Sequence, residues 1–119
     1  MSNLNRYDFS FPQGDSVLRR FELIDPYGVD IDCTGYSLEM QVRPTPQTPT
    51  PTLTLDNGTN GGMDYDNGPA GGTFHFEITP AQSASLPLGT YSYAVRVFNA
   101  SFAWTVAWGY VTILPETAK

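Results

Sequence analysis

Charge is scarce in this chain. Charged residues make up 15% of its 119 residues, against roughly a quarter in an ordinary soluble domain. Basic residues are scarcer still: six Lys and Arg face twelve Asp and Glu, for a net charge of −6. No basic run exceeds Arg19-Arg20. Neutralising a phosphate backbone or an anionic lipid surface takes several Lys or Arg on one face. Nucleic acid and membrane are therefore not expected partners. A single cysteine, Cys33, has no second thiol for an internal disulfide. No His/Cys group has the spacing of a zinc site, and no metal or cofactor is expected. The N-terminus MSNLNRYDFSF lacks the apolar run of a signal peptide. Nothing approaches the ~20 apolar residues of a membrane span. These absences set an expectation of synthesis and folding in a cytoplasm.

What is abundant is apolar and aromatic. Hydrophobic residues are 40% and aromatics 13%, with seven Tyr, seven Phe and two Trp. Low charge with many aromatics opposes disorder, and it suggests that a partner covers part of the surface. The length suits one domain spanning 1–119, large enough to hold a core without metals or disulfides.

Two-residue alternation, the mark of half-buried strands, dominates the chain. Tyr7, Phe9 and Phe11 alternate with Asp8 and Ser10. Val17, Phe21 and Leu23 continue the inward phase, with Arg19 as the exception. Leu38, Met40 and Val42 alternate cleanly and stop at Pro44. Leu53 and Leu55 mark a short strand. Phe74, Phe76 and Ile78 follow, then Tyr91, Tyr93, Val95 and Val97. Trp104, Val106 and Trp108 share a phase that shifts by one at Gly109, so that Val111 and Ile113 carry it on; a glycine at a phase shift predicts a β-bulge there. The count is about seven strands, an all-β pattern. The one helical candidate is a short turn after Thr79, with Thr79 as N-cap and Pro80 at the first position. Three segments fall outside the strands. Residues 1–5 predict a flexible arm, 44–51 an extended Pro/Thr-rich loop, and 56–72 a long mobile Gly/Asn/Asp-rich loop.

Several stretches in order carry a family resemblance. They are Phe11-Pro-Gln-Gly-Asp15 leading to Phe21-Glu-Leu-Ile, and Asp25-Pro-Tyr-Gly-Val-Asp-Ile-Asp-Cys-Thr-Gly-Tyr36 followed by Glu39-Met-Gln-Val-Arg43. Then come Ile78-Thr-Pro-Ala-Gln82, Leu86-Pro-Leu-Gly-Thr-Tyr-Ser-Tyr-Ala-Val95 and Gly109-Tyr-Val-Thr-Ile. Together they cover nearly the whole chain. The pattern resembles phage virion immunoglobulin-like domains, notably the N-terminal domain of baseplate upper proteins and related small tail proteins. That resemblance implies an immunoglobulin-like β-sandwich of about seven antiparallel strands. Within it, Leu88-Gly-Thr-Tyr-Ser-Tyr93 has the form of a tyrosine corner, with Tyr91 bonding back to the preceding backbone. Tyr93 takes the core position that holds a cysteine in antibody domains.

Catalytic chemistry finds little to stand on. His75 falls on the outward phase of its strand beside Glu77, with no evident nucleophile. Cys33 has no basic neighbour to lower its pKa, so a buried inert thiol is expected. Asp56, Asp64 and Asp66 raise the question of calcium. Counted from Asp64, however, the EF-hand positions for Gly and Glu are filled wrongly. Asn57-Gly-Thr59 and Asn99-Ala-Ser101 are glycosylation sequons that, without an export signal, mark no more than surface loops.

Aromatics crowd the last hairpin. For Phe98, Phe102 and Tyr110 the choice between core and interface anchor stays open. The leading expectation is a non-enzymatic phage virion structural protein of the tail, baseplate or neck. It would contact other virion proteins and assemble as a homo-oligomer or symmetric array. A capsid decoration protein of the same fold is the first alternative. A small carbohydrate-binding module, with exposed Trp and Tyr as its sugar platform, is the second.

Overall fold

The computed structural model describes residues 5–23, 27–66 and 68–115. It is an all-β sandwich of two sheets. The larger sheet contains β1 (Asn5–Arg6), β2 (Phe9–Pro12), β4 (Ser37–Arg43), β5 (Leu53–Asp56), β8 (Gly89–Phe98) and β9 (Ala103–Leu114). Its order is β1–β9–β8–β4–β5, with β2 also on β9. The smaller sheet orders β3 (Val17–Glu22), β7 (Thr73–Ile78) and β6 (Met63–Tyr65) as β3–β7–β6.

The alternating phases fill the space between the sheets. Leu38, Met40 and Val42 of β4, Phe74, Phe76 and Ile78 of β7, and Tyr91, Tyr93, Val95 and Val97 of β8 are all buried in one cluster. Phe9 of the larger sheet meets Phe76 of the smaller at 5.8 Å, and Phe21 stacks on Phe74 and Phe76. Cys33 joins this core as a small apolar group, and burial pushes its thiol pKa up. The exception Arg19 has a structural reason. Its guanidinium lies 5.4 Å from the Phe9 ring and bonds the Tyr7 hydroxyl and the Leu18 carbonyl. It thus bridges the flank where β3, an edge of the small sheet, passes the N-terminal strands.

Four expectations need correction. First, the N-terminal segment is broken into β1 and β2, and both run parallel to β9. Strand partners leave no local code, so alternation alone could not show this. Of the expected arm, residues 1–4 lie outside the described residues, and Asn5 already pairs with Ala107. Second, segment 56–72 is structured. It carries β6, with Met63 buried, and a 3-10 turn at Pro69–Gly71. Third, the Pro/Thr-rich loop folds back rather than running extended: Thr48 N–H donates to the Thr45 carbonyl at 3.1 Å.

Fourth, the bulge lies elsewhere. Val95 pairs with Ala107, but Arg96 pairs with Thr105. Val106 is the extra residue, and Gly109 stays in register opposite Tyr93. Val106 and Ala107 are consecutive and both buried, a break in alternation that a bulge produces. Gly109 is glycine for a different reason. A β-carbon there would strike the Tyr7 carbonyl oxygen and stand 2.6 Å from Asp8 Oδ1. The main chain between β1 and β2 crosses directly over it, a close approach that only glycine allows.

The two expected local devices are visible. Tyr91 Oη donates to the Pro87 carbonyl at 2.8 Å, the backward bond of a tyrosine corner. Thr79 caps α1 (Pro80–Ser85) in a reciprocal capping box with Gln82. Tyr93 is buried and its hydroxyl donates to the Tyr7 carbonyl, which ties the N-terminal crossing to the core.

Candidate functional site

The bulge decides what the outer face of the large sheet displays. Before it, Trp104 and Val106 point toward the core; after it, Ala107, Gly109, Val111 and Ile113 do. Trp108 and Tyr110, which would otherwise point inward, are thrown to the outer face. This corrects the expectation that Trp108 shares a face with Trp104. Re-aiming side chains is a recurrent use of bulges.

Across that face, cross-strand pairing sets rows of side chains. One row runs Arg6, Trp108, Ala94, Gln41, Thr54, and the next runs Tyr110, Ser92, Arg43. The middle column, on β8, holds the small residues Ala94 and Ser92. On one side stand Trp108 and Tyr110, on the other Gln41 and Arg43. Large columns flanking a small one make a groove of about 210 Å³, with Pro46 of the β4–β5 loop at its margin. The Arg6 guanidinium lies 5.2 Å from both the Trp108 and Tyr110 rings, which braces the aromatic wall from the β1 side. Arg6 is itself held by Asp8 at 3.1 Å, and Asp8 accepts the Tyr110 N–H at 3.0 Å. Those bonds, the one from Arg6 foremost, hold the Asp8 carboxyl below its ordinary pKa.

The candidate interface residues do not form one patch. Phe98 is half-buried on the outer face at the end of β8, with the Arg96 guanidinium 5.7 Å from its ring. Tyr110 stands on the groove wall. Phe102 is in the β8–β9 turn, 53% exposed. There it forms an aromatic cluster with Trp104 at 5.8 Å and Tyr36 at 6.4 Å. The Asn99 side chain organises this turn by accepting the N–H groups of Ser101 and Phe102. Tyr27 and Val29 belong to the β3–β4 loop at the same end of the sandwich, where β3 and β8 finish and β4 and β9 begin, and both are exposed.

The remaining candidates are committed to local structure. The Asp56 carboxylate accepts N–H groups from Gly58, Asn60 and Gly61. These bonds, that from Gly58 first, hold its pKa down. It is the hub of a turn. Among the described residues, no group of three or more His, Cys, Asp or Glu stands close enough to hold a metal ion. His75 Nδ1 lies 2.6 Å from Asp66, which also faces Arg20 at 3.4 Å. Among the described residues, no helix is long and apolar enough to cross a membrane. Sequence reasoning missed the groove. Its signal was the pair of small outward residues, Ser92 and Ala94, and only register could set them between large neighbours.

No family model matches the chain, and no curated protein matches it. Among solved structures it is similar to an endo-β-1,4-mannanase from Thermotoga petrophila, with a TM-score of 0.54 and 11% identity. That match covers 91% of this chain and 18% of the mannanase. It is also similar to a family 123 glycoside hydrolase from Clostridium perfringens, with a TM-score of 0.42 and 12% identity over 99% of this chain and 24% of that one. The chain therefore spans a quarter or less of either protein. The mannanase match is a likeness of fold.

Proposed function

We propose that the chain is a non-enzymatic structural module of a phage particle, an immunoglobulin-like domain that works by protein–protein contact in the tail, baseplate or neck. The strand order supports the immunoglobulin-like reading. One sheet holds the first, second, fourth, fifth, eighth and ninth strands, the other the third, sixth and seventh, and a tyrosine corner opens β8. The observation that carries the contact role is the aromatic end. Phe102 is half exposed yet braced edge-on by Tyr36 and against Trp104. A rigid, partly exposed aromatic is what interface anchors are made of. Tyr27 and Val29, exposed at the same end, widen the apolar surface. Among the described residues β3 is an edge strand of the small sheet, which offers a second mode, addition of a neighbour's strand.

Mass spectrometry of particles purified from the phage whose genome carries this gene tests the proposal. The chain is expected in fixed proportion to the other particle proteins. With Phe102→Ala it is expected to be depleted at least tenfold, while the isolated variant melts within a few degrees of the parent. Absence of the parent chain from particles overturns the structural role. Undiminished incorporation of a folded Phe102→Ala overturns the aromatic end as the contact.

A further inference from the structure

The groove on the outer face has a chemistry that protein contact does not require. Its lining joins aromatic rings, an amide, a hydroxyl and a guanidinium, and contains no carboxylate. In a chain with twice as many acidic as basic residues, an acid-free concavity around an arginine is a distinct local environment. Arg43 differs from most of the other arginines. Arg6, Arg20 and Arg96 are ion-paired with Asp8, Asp66 and Glu39. Arg43 has no carboxylate partner among the described residues; its Nε donates to the Thr48 carbonyl at 2.8 Å. That bond fixes the guanidinium plane and leaves the two terminal nitrogens for another acceptor.

The walls complement one another. Trp108 and Tyr110 line one side, and aromatic side chains suit the apolar faces of a pyranose. Opposite, Gln41 and Arg43 present directional donors at the width of one strand, across the small floor of Ala94 and Ser92. A ring lying on the aromatic wall would reach the donors with its hydroxyl and carboxylate edge. We infer that this groove binds an acidic saccharide, its ring on Trp108 and Tyr110 and its carboxylate paired with Arg43. An extended proline-rich peptide also favours aromatic grooves, but it offers no anion to Arg43.

The test is a nuclear magnetic resonance titration of the full chain with tri-galacturonate and, separately, its methyl-esterified form, in which the carboxylate charge is masked. The expected result is a shift of the Trp108 indole and the Ser92 and Ala94 amides. The acid should bind about tenfold more tightly than the ester, the scale of one charge-assisted hydrogen bond. Arg43→Gln should erase that preference while the fold is kept. Ala94→Leu should fill the groove and abolish both titrations; unchanged binding in that variant overturns the site. Ala94→Leu is a cleaner probe than Trp108→Ala, because Trp108 also packs against Arg6. No shift with either sugar at about 10 mM, a concentration that reveals even millimolar affinity, overturns the inference, as does a shift of the same residues by a proline-rich peptide alone. Equal binding of acid and ester, untouched by Arg43→Gln, overturns the acidic specificity. None of these results bears on particle incorporation, which is read from Phe102.

Discussion

The two faces of the large sheet are written by the same strands and obey different rules. On the inner face, Tyr91, Tyr93, Val95 and Val97 of β8 are packed against the small sheet. On the outer face, Ser92, Ala94, Arg96 and Phe98 alternate with them, graded from small to large along the strand. The inner face has one task, to leave water, and any apolar residue of fitting volume serves it. The outer face has no such demand. Its small residues Ser92 and Ala94 form the floor of a groove whose walls stand on neighbouring strands. Burial thus explains one face, and shape explains the other.

Adjacent aspartates test this contrast most severely. Val95→Asp buries an unpaired carboxylate and is expected to cost at least about 4 kcal/mol, close to unfolding a domain of this size. Ala94→Asp, one residue away on the open face, is expected to change stability by less than about 1 kcal/mol and to repel an acidic ligand. Chemical denaturation of the two variants decides it. Similar losses in both would break the distinction between the faces.

Gly109→Ala probes where the faces meet the N-terminal crossing. The added methyl meets the Tyr7 carbonyl and the Asp8 carboxylate, and the expected loss is about 2–3 kcal/mol. Hydrogen exchange should locate the damage at β1. The Tyr7 amide, bonded to the Trp108 carbonyl at 2.9 Å, should lose its protection first. Uniform loss across β8 would point to a core defect instead.

Tyr91→Phe removes one hydrogen bond, to Pro87, and keeps the ring. The expected cost is about 1 kcal/mol, read as a lower denaturation midpoint with an unchanged slope.

The smallest effect is a pH dependence. Burial pushes the Tyr65 phenol up to about 12 from its ordinary 10, so the fold favours the neutral form. Its contribution is complete below about pH 10 and is lost as pH rises through about 12. Burial shifts Tyr93 in the same direction. Melting temperature should therefore fall with rising pH across that window, and less steeply in Tyr65→Phe. An identical slope in parent and variant would remove Tyr65 from the explanation.

The inner face was legible because alternation records burial directly. Leu38, Met40 and Val42, and Phe74, Phe76 and Ile78, all point where their phase says. Thr79 and Tyr91 were legible because a cap and a corner are local bonds with local residue requirements. The bulge was misplaced because Gly109 is a conspicuous residue and the Val106-Ala107 pair is not. The glycine answers to a contact with Tyr7, far away in sequence, that no local pattern encodes. The same limit hid the parallel pairing of β1 and β2 and the groove, since both depend on which strands are neighbours. Phe98, Phe102 and Tyr110 were singled out because aromatics crowd the last hairpin, but crowding in sequence does not say that they stand at separate places.

The most direct test of the contact role is the position of the chain in the assembled particle, seen by cryo-electron microscopy. The predicted result is a sandwich in the tail, baseplate or neck whose Tyr36, Phe102 and Trp104 end is covered by a neighbouring protein, with the β8 groove left open to solvent. A particle without the chain, or one in which that aromatic end faces solvent, would contradict it.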